Sequence, residues 1–180
     1  MRVITGSVRG MRLQTLEGLD TRPTSEKVKE AVFSMLQFEL EGRRFLDLYA
    51  GSGQMGIEAL SRGAITATFV ENSTAAAAVI KNNLKRTGFD IQSMVRVMPV
   101  DEYLRRGKDR YEVIWMDPPY RGGLLESTLN RLSEIDILSE GGIIVCERPA
   151  DLTLPDSVGA YTKTKDSRYG RTGITVYRYL

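Results

Sequence analysis

Two short segments of the chain carry residue types that can do chemistry together. The first, Asp47-Leu48-Tyr49-Ala50-Gly51-Ser52-Gly53, is an apolar run that ends in small residues. Where a strand gives way to glycines and then to a helix, backbone N–H groups point outward and a ligand can approach the main chain closely. Gly51, Gly53 and Gly56 satisfy the G-x-G-x-x-G spacing of dinucleotide-binding loops. Glu71 follows Gly51 by 20 residues, at the end of the next β-rich run. A carboxylate there can accept hydrogen bonds from both hydroxyls of a ribose. By itself the glycine spacing also fits a purely structural tight turn. Together with Glu71 it points to an adenosine-containing cofactor.

The second segment is Asp117-Pro118-Pro119-Tyr120, which closes the apolar run Val113-Ile114-Trp115-Met116. Two prolines stop a strand and leave the Pro118 carbonyl unclaimed by ladder or helix. Asp117 supplies a second acceptor and Tyr120 an aromatic face. Two acceptors beside a stacking ring suit the two protons of an exocyclic amino group on a planar base. A plain strand terminator would look the same in isolation. The carboxyl end of a core strand, however, is where open α/β sheets bind ligands. Cys146 and Trp115 invite other readings, as nucleophile and base platform. Both lie inside buried-strand patterns, so core roles are expected for them.

The elements that must position these segments alternate between strand and helix signals over residues 45–148, which predicts parallel strands joined by helical crossovers. Phe45–Tyr49, Thr66–Glu71, Val95–Met98, Val113–Met116 and Ile143–Cys146 read as strands, the last fed by a turn at Gly141-Gly142. Ile57–Arg62, a stretch capped by Ser73, and Leu124–Leu132 read as helices. Tyr161–Lys165 and Thr172–Tyr179 then form a closing hairpin around turn signals at Asp166, Ser167 and Gly170. Ahead of the core, Arg2–Thr5 and Met11–Thr15 predict a hairpin, followed by a helix capped by Thr24 with Val28, Ala31, Val32, Met35 and Leu36 as its apolar stripe. The expected architecture is a doubly wound, mostly parallel α/β sheet of seven strands with an antiparallel C-terminal hairpin. Residues 1–42 form a small basic extension packed on a core domain of residues 43–180.

Composition excludes several classes. The 180 residues hold one cysteine and no histidine, which removes a disulfide framework, cysteine-clustered zinc and Ser-His-Asp catalysis. No metal site is expected. No apolar run approaches the roughly 20 residues of a membrane helix, and no greasy leader opens the chain, so a cytoplasmic protein without membrane contact is expected. Net charge is +2, but residues 1–29 carry six basic against three acidic side chains and residues 161–180 five against one. Basic ends around an acidic middle can form a polyanion-binding rim or be ordinary solvated charge.

The combination of motifs resembles class I S-adenosylmethionine-dependent methyltransferases that act on nucleobase amino groups. Within them the chain is similar to the bacterial small-subunit ribosomal RNA guanine-N2 methyltransferases of type D. The resemblance spans nearly the whole length: Arg2, Ile4, Gly6, Arg9, Gly10 and Leu13, then Arg22-Pro23-Thr24, the glycine loop, Glu58–Ala64, Glu71, Asp117–Tyr120, and Tyr169-Gly170 with Thr172. It implies a Rossmann-like fold and a cofactor site built from Asp47, Tyr49, Gly51, Ser52, Gly53, Glu71, Asn72, Asp101 and Asp117. It implies that Asp117 and the Pro118 carbonyl hold the target amino group while Tyr120 stacks on the base. Two acceptors would turn the N–H bonds so that the nitrogen lone pair faces the methyl donor, an orientation effect. The alkylated nitrogen sheds its proton readily, so no histidine base is needed. Small-subunit (16S) ribosomal RNA, free or inside an assembling particle, is the implied partner of a monomer, with Arg2, Arg9, Arg12, Arg22, Lys163, Lys165 and Arg168 on its phosphates. Tyr49 stands in a slot that is glycine in many such enzymes. The acidic residue after the third strand usually falls nearer Pro99 than Asp101. Arg171 replaces an acidic or small residue. Adenine N6 or cytosine N4 methylation, a nicotinamide-dependent oxidoreductase and a non-enzymatic RNA-binding module are the alternatives.

Overall fold

The computed structural model describes residues 1–16, 24–120 and 122–179. In chain order its elements are α1 (Glu26–Met35), β1 (Arg44–Leu48), α2 (Gln54–Ser61), β2 (Thr66–Glu71), α3 (Thr74–Thr87), β3 (Ser93–Val97), α4 (Val100–Arg106), β4 (Tyr111–Met116), α5 (Leu124–Glu134), β5 (Leu138–Pro149), β6 (Ser157–Val158), β7 (Tyr161–Tyr169) and β8 (Thr172–Tyr179). The strands form one sheet in the order β3-β2-β1-β4-β5-β8-β7-β6. From β3 to β5 the pairings are parallel, and the last three strands run antiparallel to their neighbours. The sheet therefore has eight strands rather than the expected seven. The additional one, β6, pairs only two residues with β7, too few for any periodicity to register.

Alternate residues of each central strand serve opposite faces. Phe45, Phe69, Val113, Trp115, Ile143 and Val145 join Val32 and Phe33 of α1, Ile57 and Leu60 of α2, and Ile80 and Leu84 of α3. Leu46, Leu48, Ile114, Met116, Ile144 and Cys146 join Tyr103 and Leu104 of α4 with Leu125, Leu129 and Leu132 of α5. The central strands are unbroken apolar runs because both faces are covered.

Several local details differ from the sequence-based expectations. Ser25, not Thr24, caps α1, its Oγ accepting the Val28 N–H at 3.3 Å, while the buried Thr24 hydroxyl donates to Glu147 Oε2 at 2.9 Å. α2 begins three residues before Ile57, directly after Gly53. Asp166 and Ser167 lie within β7 rather than in its turn, because the Asp166 carboxylate is used across the sheet by Arg148 and the Thr175 hydroxyl. Gly141-Gly142 is an irregularity inside β5, since the chain already pairs at Leu138 with Tyr111. The N-terminal hairpin is narrow, with a single bridge between Arg2 and Arg12. It is fastened to α2: the Ile4 and Thr5 N–H groups donate to the buried Glu58 carboxylate at 2.8 and 2.9 Å, and Lys29 Nζ lies 3.3 Å from the same group. Among the described residues no helix is long and apolar enough to cross a membrane.

Candidate active site

Strand register places the site residues along one edge of the sheet. Leu48 pairs with Val70 on one side and Met116 on the other, and Met116 pairs with Cys146. The next residue on each strand is Glu71, Tyr49, Asp117 or Glu147, so these four form a row along the carboxyl edge, with neighbouring strands about 4.8 Å apart. The glycine loop and the Asp-Pro-Pro-Tyr loop thus leave adjacent strands on the same edge, which is the crevice position of open α/β sheets.

The glycine loop is braced from three sides. Glu71 accepts the Gly51 N–H at 2.8 Å through one oxygen and the Ser73 N–H at 2.8 Å through the other. Each carboxylate oxygen keeps a further lone-pair site for a ligand hydroxyl. Asp47 lies beneath the loop, buried, and accepts the Gly56 N–H at 3.0 Å. Burial pushes its carboxyl well above the usual range, the Gly56 N–H opposes this, and the nearby Glu71 charge adds to it. Asn83 Nδ2 donates to the Ser52 carbonyl at 3.1 Å, and the Ser52 hydroxyl lies 4.0 Å from Met1 Sδ. A Cβ on Gly51 would meet nothing within 4 Å, whereas one on Gly56 would sit 2.3 Å from the Phe69 ring. The first glycine leaves space over the backbone, and the third lets helix and strand touch. An adenosine-containing group fits this cradle: open space above Gly51, spare acceptors on Glu71, and the start of α2 at hand.

At the other loop, Pro118 is buried and Tyr120 is 56% exposed, as a stacking surface must be. Burial, then the charges of Glu147 and Asp47, push the Asp117 carboxyl well above its ordinary value. The Tyr120 hydroxyl is 3.5 Å from Glu147 Oε1 and also pairs with Thr172, and burial with the charges of Glu147 and Asp117 pushes its ionisation up. A cleft of about 290 Å³ opens beside this loop between Pro118, Tyr120, Leu124, Pro149, Asp151 and Leu152. Its far wall is fixed by Arg148, whose buried guanidinium donates to the Pro149 and Leu152 carbonyls.

The remaining predicted residues scatter. Asn72 is exposed at the edge beside Glu71. Asp101 is exposed in the first turn of α4, paired with Arg105 at 2.9 Å, and its charge contributes to the raised ionisation of Tyr49. Arg2 pairs with Glu26 near the open end of the hairpin, next to Arg12. Arg9 is at the hairpin tip, which is tied to Ser61 at the far end of α2, about 12 Å from the edge. Arg168 flanks the β7–β8 turn, and that turn stands at the site edge because Pro149 pairs with Thr172. Lys163 is level with Ile144 in mid-sheet, its Nζ held by the Leu154 carbonyl at 2.9 Å and by Asp156 at 2.7 Å. Lys165 is exposed one step nearer the edge. Arg22 lies outside the described residues. Cys146 and Trp115 are buried strand residues. Sequence reasoning missed Glu147, whose place beside Asp117 follows only from aligning the tips of two strands. It also missed Thr128, hidden within an apolar helical stripe.

The chain is similar to several known proteins over nearly its whole length. A Bacillus subtilis (strain 168) protein provisionally named rRNA methyltransferase YlbH is 39% identical over 99% of this chain and 98% of its own length. Ribosomal RNA small subunit methyltransferase D of Escherichia coli (strain K12) is 29% identical over 99% of this chain and 89% of its own. A solved Escherichia coli structure, provisionally described as methyltransferase yhhF, superposes with a TM-score of 0.90 at 28% identity, covering 99% of this chain and 97% of that one. The strand order and antiparallel closing strands are those of class I methyltransferases. The family model described as Conserved hypothetical protein 95 matches residues 1–178, and the chain belongs to that family.

Proposed function

We propose that the chain transfers a methyl group from S-adenosylmethionine to the exocyclic N2 of a guanine in small-subunit ribosomal RNA. The observation that carries this reading is the register that seats Asp117 and Pro118 beside the glycine loop, one strand from Tyr49 and two from Glu71. S-adenosylmethionine bound there supplies an electrophilic methyl group. Glu71 would hold its ribose and the Gly51–Gly53 backbone its amino-acid end, with Asn72 and Asp101 bordering the adenosine. The protein's part is orientation. Asp117 Oδ and the Pro118 carbonyl oxygen accept the two amino protons, which draws the lone pair out of conjugation and toward the donor. Asp117 Oδ is also the nearest base for the proton the nitrogen gives up. Tyr120 stacks on a base taken out of the RNA, with the adjoining cleft as its receptacle. Arg2, Arg12 and Arg168, near the edge, suit phosphate contacts better than Arg9, Lys163 or Lys165.

Nucleoside mass spectrometry of ribosomal RNA from a strain lacking the gene tests the reading. N2-methylguanosine should be missing from small-subunit RNA and return on complementation. Loss of an N6-methyladenosine or N4-methylcytidine instead would reassign the base. In vitro, Asp117→Ala should abolish transfer, by about 100-fold or more, while S-adenosylhomocysteine still binds. Undiminished turnover would remove Asp117 from the chemistry.

A further inference from the structure

Tyr49 has a backbone conformation that its side chain disfavours. Its φ is +63°, and it is the one residue other than glycine with positive φ among the described residues. A bulky residue is kept in the left-handed region only where its surroundings fix it, and such positions gather at functional sites. What fixes this one is visible. The ring packs against the α4–α5 side of the core, and its hydroxyl lies 2.7 Å from Thr128 Oγ1 on α5. Thr128 is itself buried, so its hydroxyl has no easy alternative in water, and Tyr49 is half-buried above it.

The two ends of this contact belong to the two halves of the site. Tyr49 opens the glycine loop. Thr128 is one turn into α5, the helix that receives the Asp117–Tyr120 loop. Between Tyr120 and α5 the chain turns through Gly122 and Gly123, with φ of +74° and +65°. The loop that grips the amino group is therefore fixed at β4 on one side and at α5 on the other. α5 is held to the cofactor loop through Tyr49.

We propose that the Tyr49 hydroxyl and Thr128 form a strut that sets the spacing between the cofactor loop and the amino-group-binding loop, making them a positioning pair for methyl transfer. Neither hydroxyl touches the reacting atoms. The inference rests on the methyltransferase reading above. Its signature is a defect in turnover without a matching defect in cofactor affinity, because an offset of about 1 Å between reacting groups costs rate and leaves each binding subsite intact.

The test uses Tyr49→Phe, Thr128→Val, the double variant and Thr128→Ser. Transfer of tritiated methyl groups to small-subunit RNA and particles from a strain lacking the gene gives kcat. Calorimetry gives S-adenosylhomocysteine affinity. The expected result is a fall in kcat of about five-fold or more for Tyr49→Phe and for Thr128→Val. The double variant should be no worse than either, Thr128→Ser should be near the original rate, and affinity should stay within about three-fold throughout. A smaller fall in either single variant overturns the strut. So do multiplying losses in the double variant, a Thr128→Ser enzyme as slow as Thr128→Val, or affinity falling in step with kcat. If the unmodified chain incorporates no methyl group, the transferase reading fails and takes the strut with it. If it turns over and Tyr49→Phe does so equally well, only the strut fails.

Discussion

At the scale of single residues, the site is a problem of crowded carboxylates. Asp117 faces Asp47 from β1 and Glu147 from β5, with the Tyr120 hydroxyl alongside, and burial compounds the repulsion. A carboxyl whose ionisation is pushed up in the folded state adds stability below its unfolded value and loses that contribution as pH rises through the folded one. At neutral pH, Asp47 and Asp117 thus weaken the fold. Under the proposed transfer, activity would run the opposite way, because only the ionised Asp117 could take up the nitrogen's proton. The kcat profile should rise with pH through a value above the ordinary carboxylate range. Removing the neighbouring charge with Glu147→Gln should move that rise to lower pH. A profile that does not move would show that Glu147 exerts no influence on the group that titrates.

At the scale of elements, the decisive contact is α2 against β2. Gly56 sits in the first turn of the helix, and an added Cβ would lie 2.3 Å from Phe69 Cε1 and 2.6 Å from Cζ. Phe69 is fully buried and also packs near Gly53 and Ile80, so its ring has nowhere to retreat. Gly56→Ala should therefore lower stability by about 1–2 kcal/mol, overpacking outweighing the gain in helix propensity. Urea denaturation reads this out, and a midpoint that rises would mean the core can yield. The same elements show what could be read beforehand. The five parallel strands and the helices α2, α3 and α5 were legible because two-sided burial writes continuous apolar runs bounded by glycine and proline, whereas the seven-residue α4, too short to show a helical period, was not. So were Gly51, Glu71 and Asp117, because strand ends announce themselves in sequence. Glu147 and Thr128 were not, since their importance depends on which strands are neighbours and on where a helix is set down. Ser25 displaced Thr24 as the cap for a similar reason, the Thr24 hydroxyl being drawn to a carboxylate distant in sequence.

At the scale of the whole molecule, the two basic ends meet the site differently. The hairpin lies along α2 with its open end at the glycine loop, where Met1 reaches Ser52 and Asn83 Nδ2 donates to the Gln14 carbonyl at 3.0 Å. The β7–β8 turn stands at the other end of the same edge, past Glu147. Arg12 and Arg168 thus flank the row of site residues from both sides, whereas Lys163 is spent on Asp156 and a carbonyl well below it. A polyanion drawn across the edge would release counterions from the first pair and few from the last. Arg12→Glu with Arg168→Glu should weaken RNA binding at low salt and flatten the slope of log affinity against log salt by about two or more. Lys163→Gln should leave that slope unchanged within error, its cost appearing instead as a lower unfolding midpoint. Filter binding across a salt series distinguishes these outcomes. If Lys163→Gln flattens the slope as much as the arginine pair does, the RNA crosses the face of β7 rather than the carboxyl edge, and the two basic ends are not one rim.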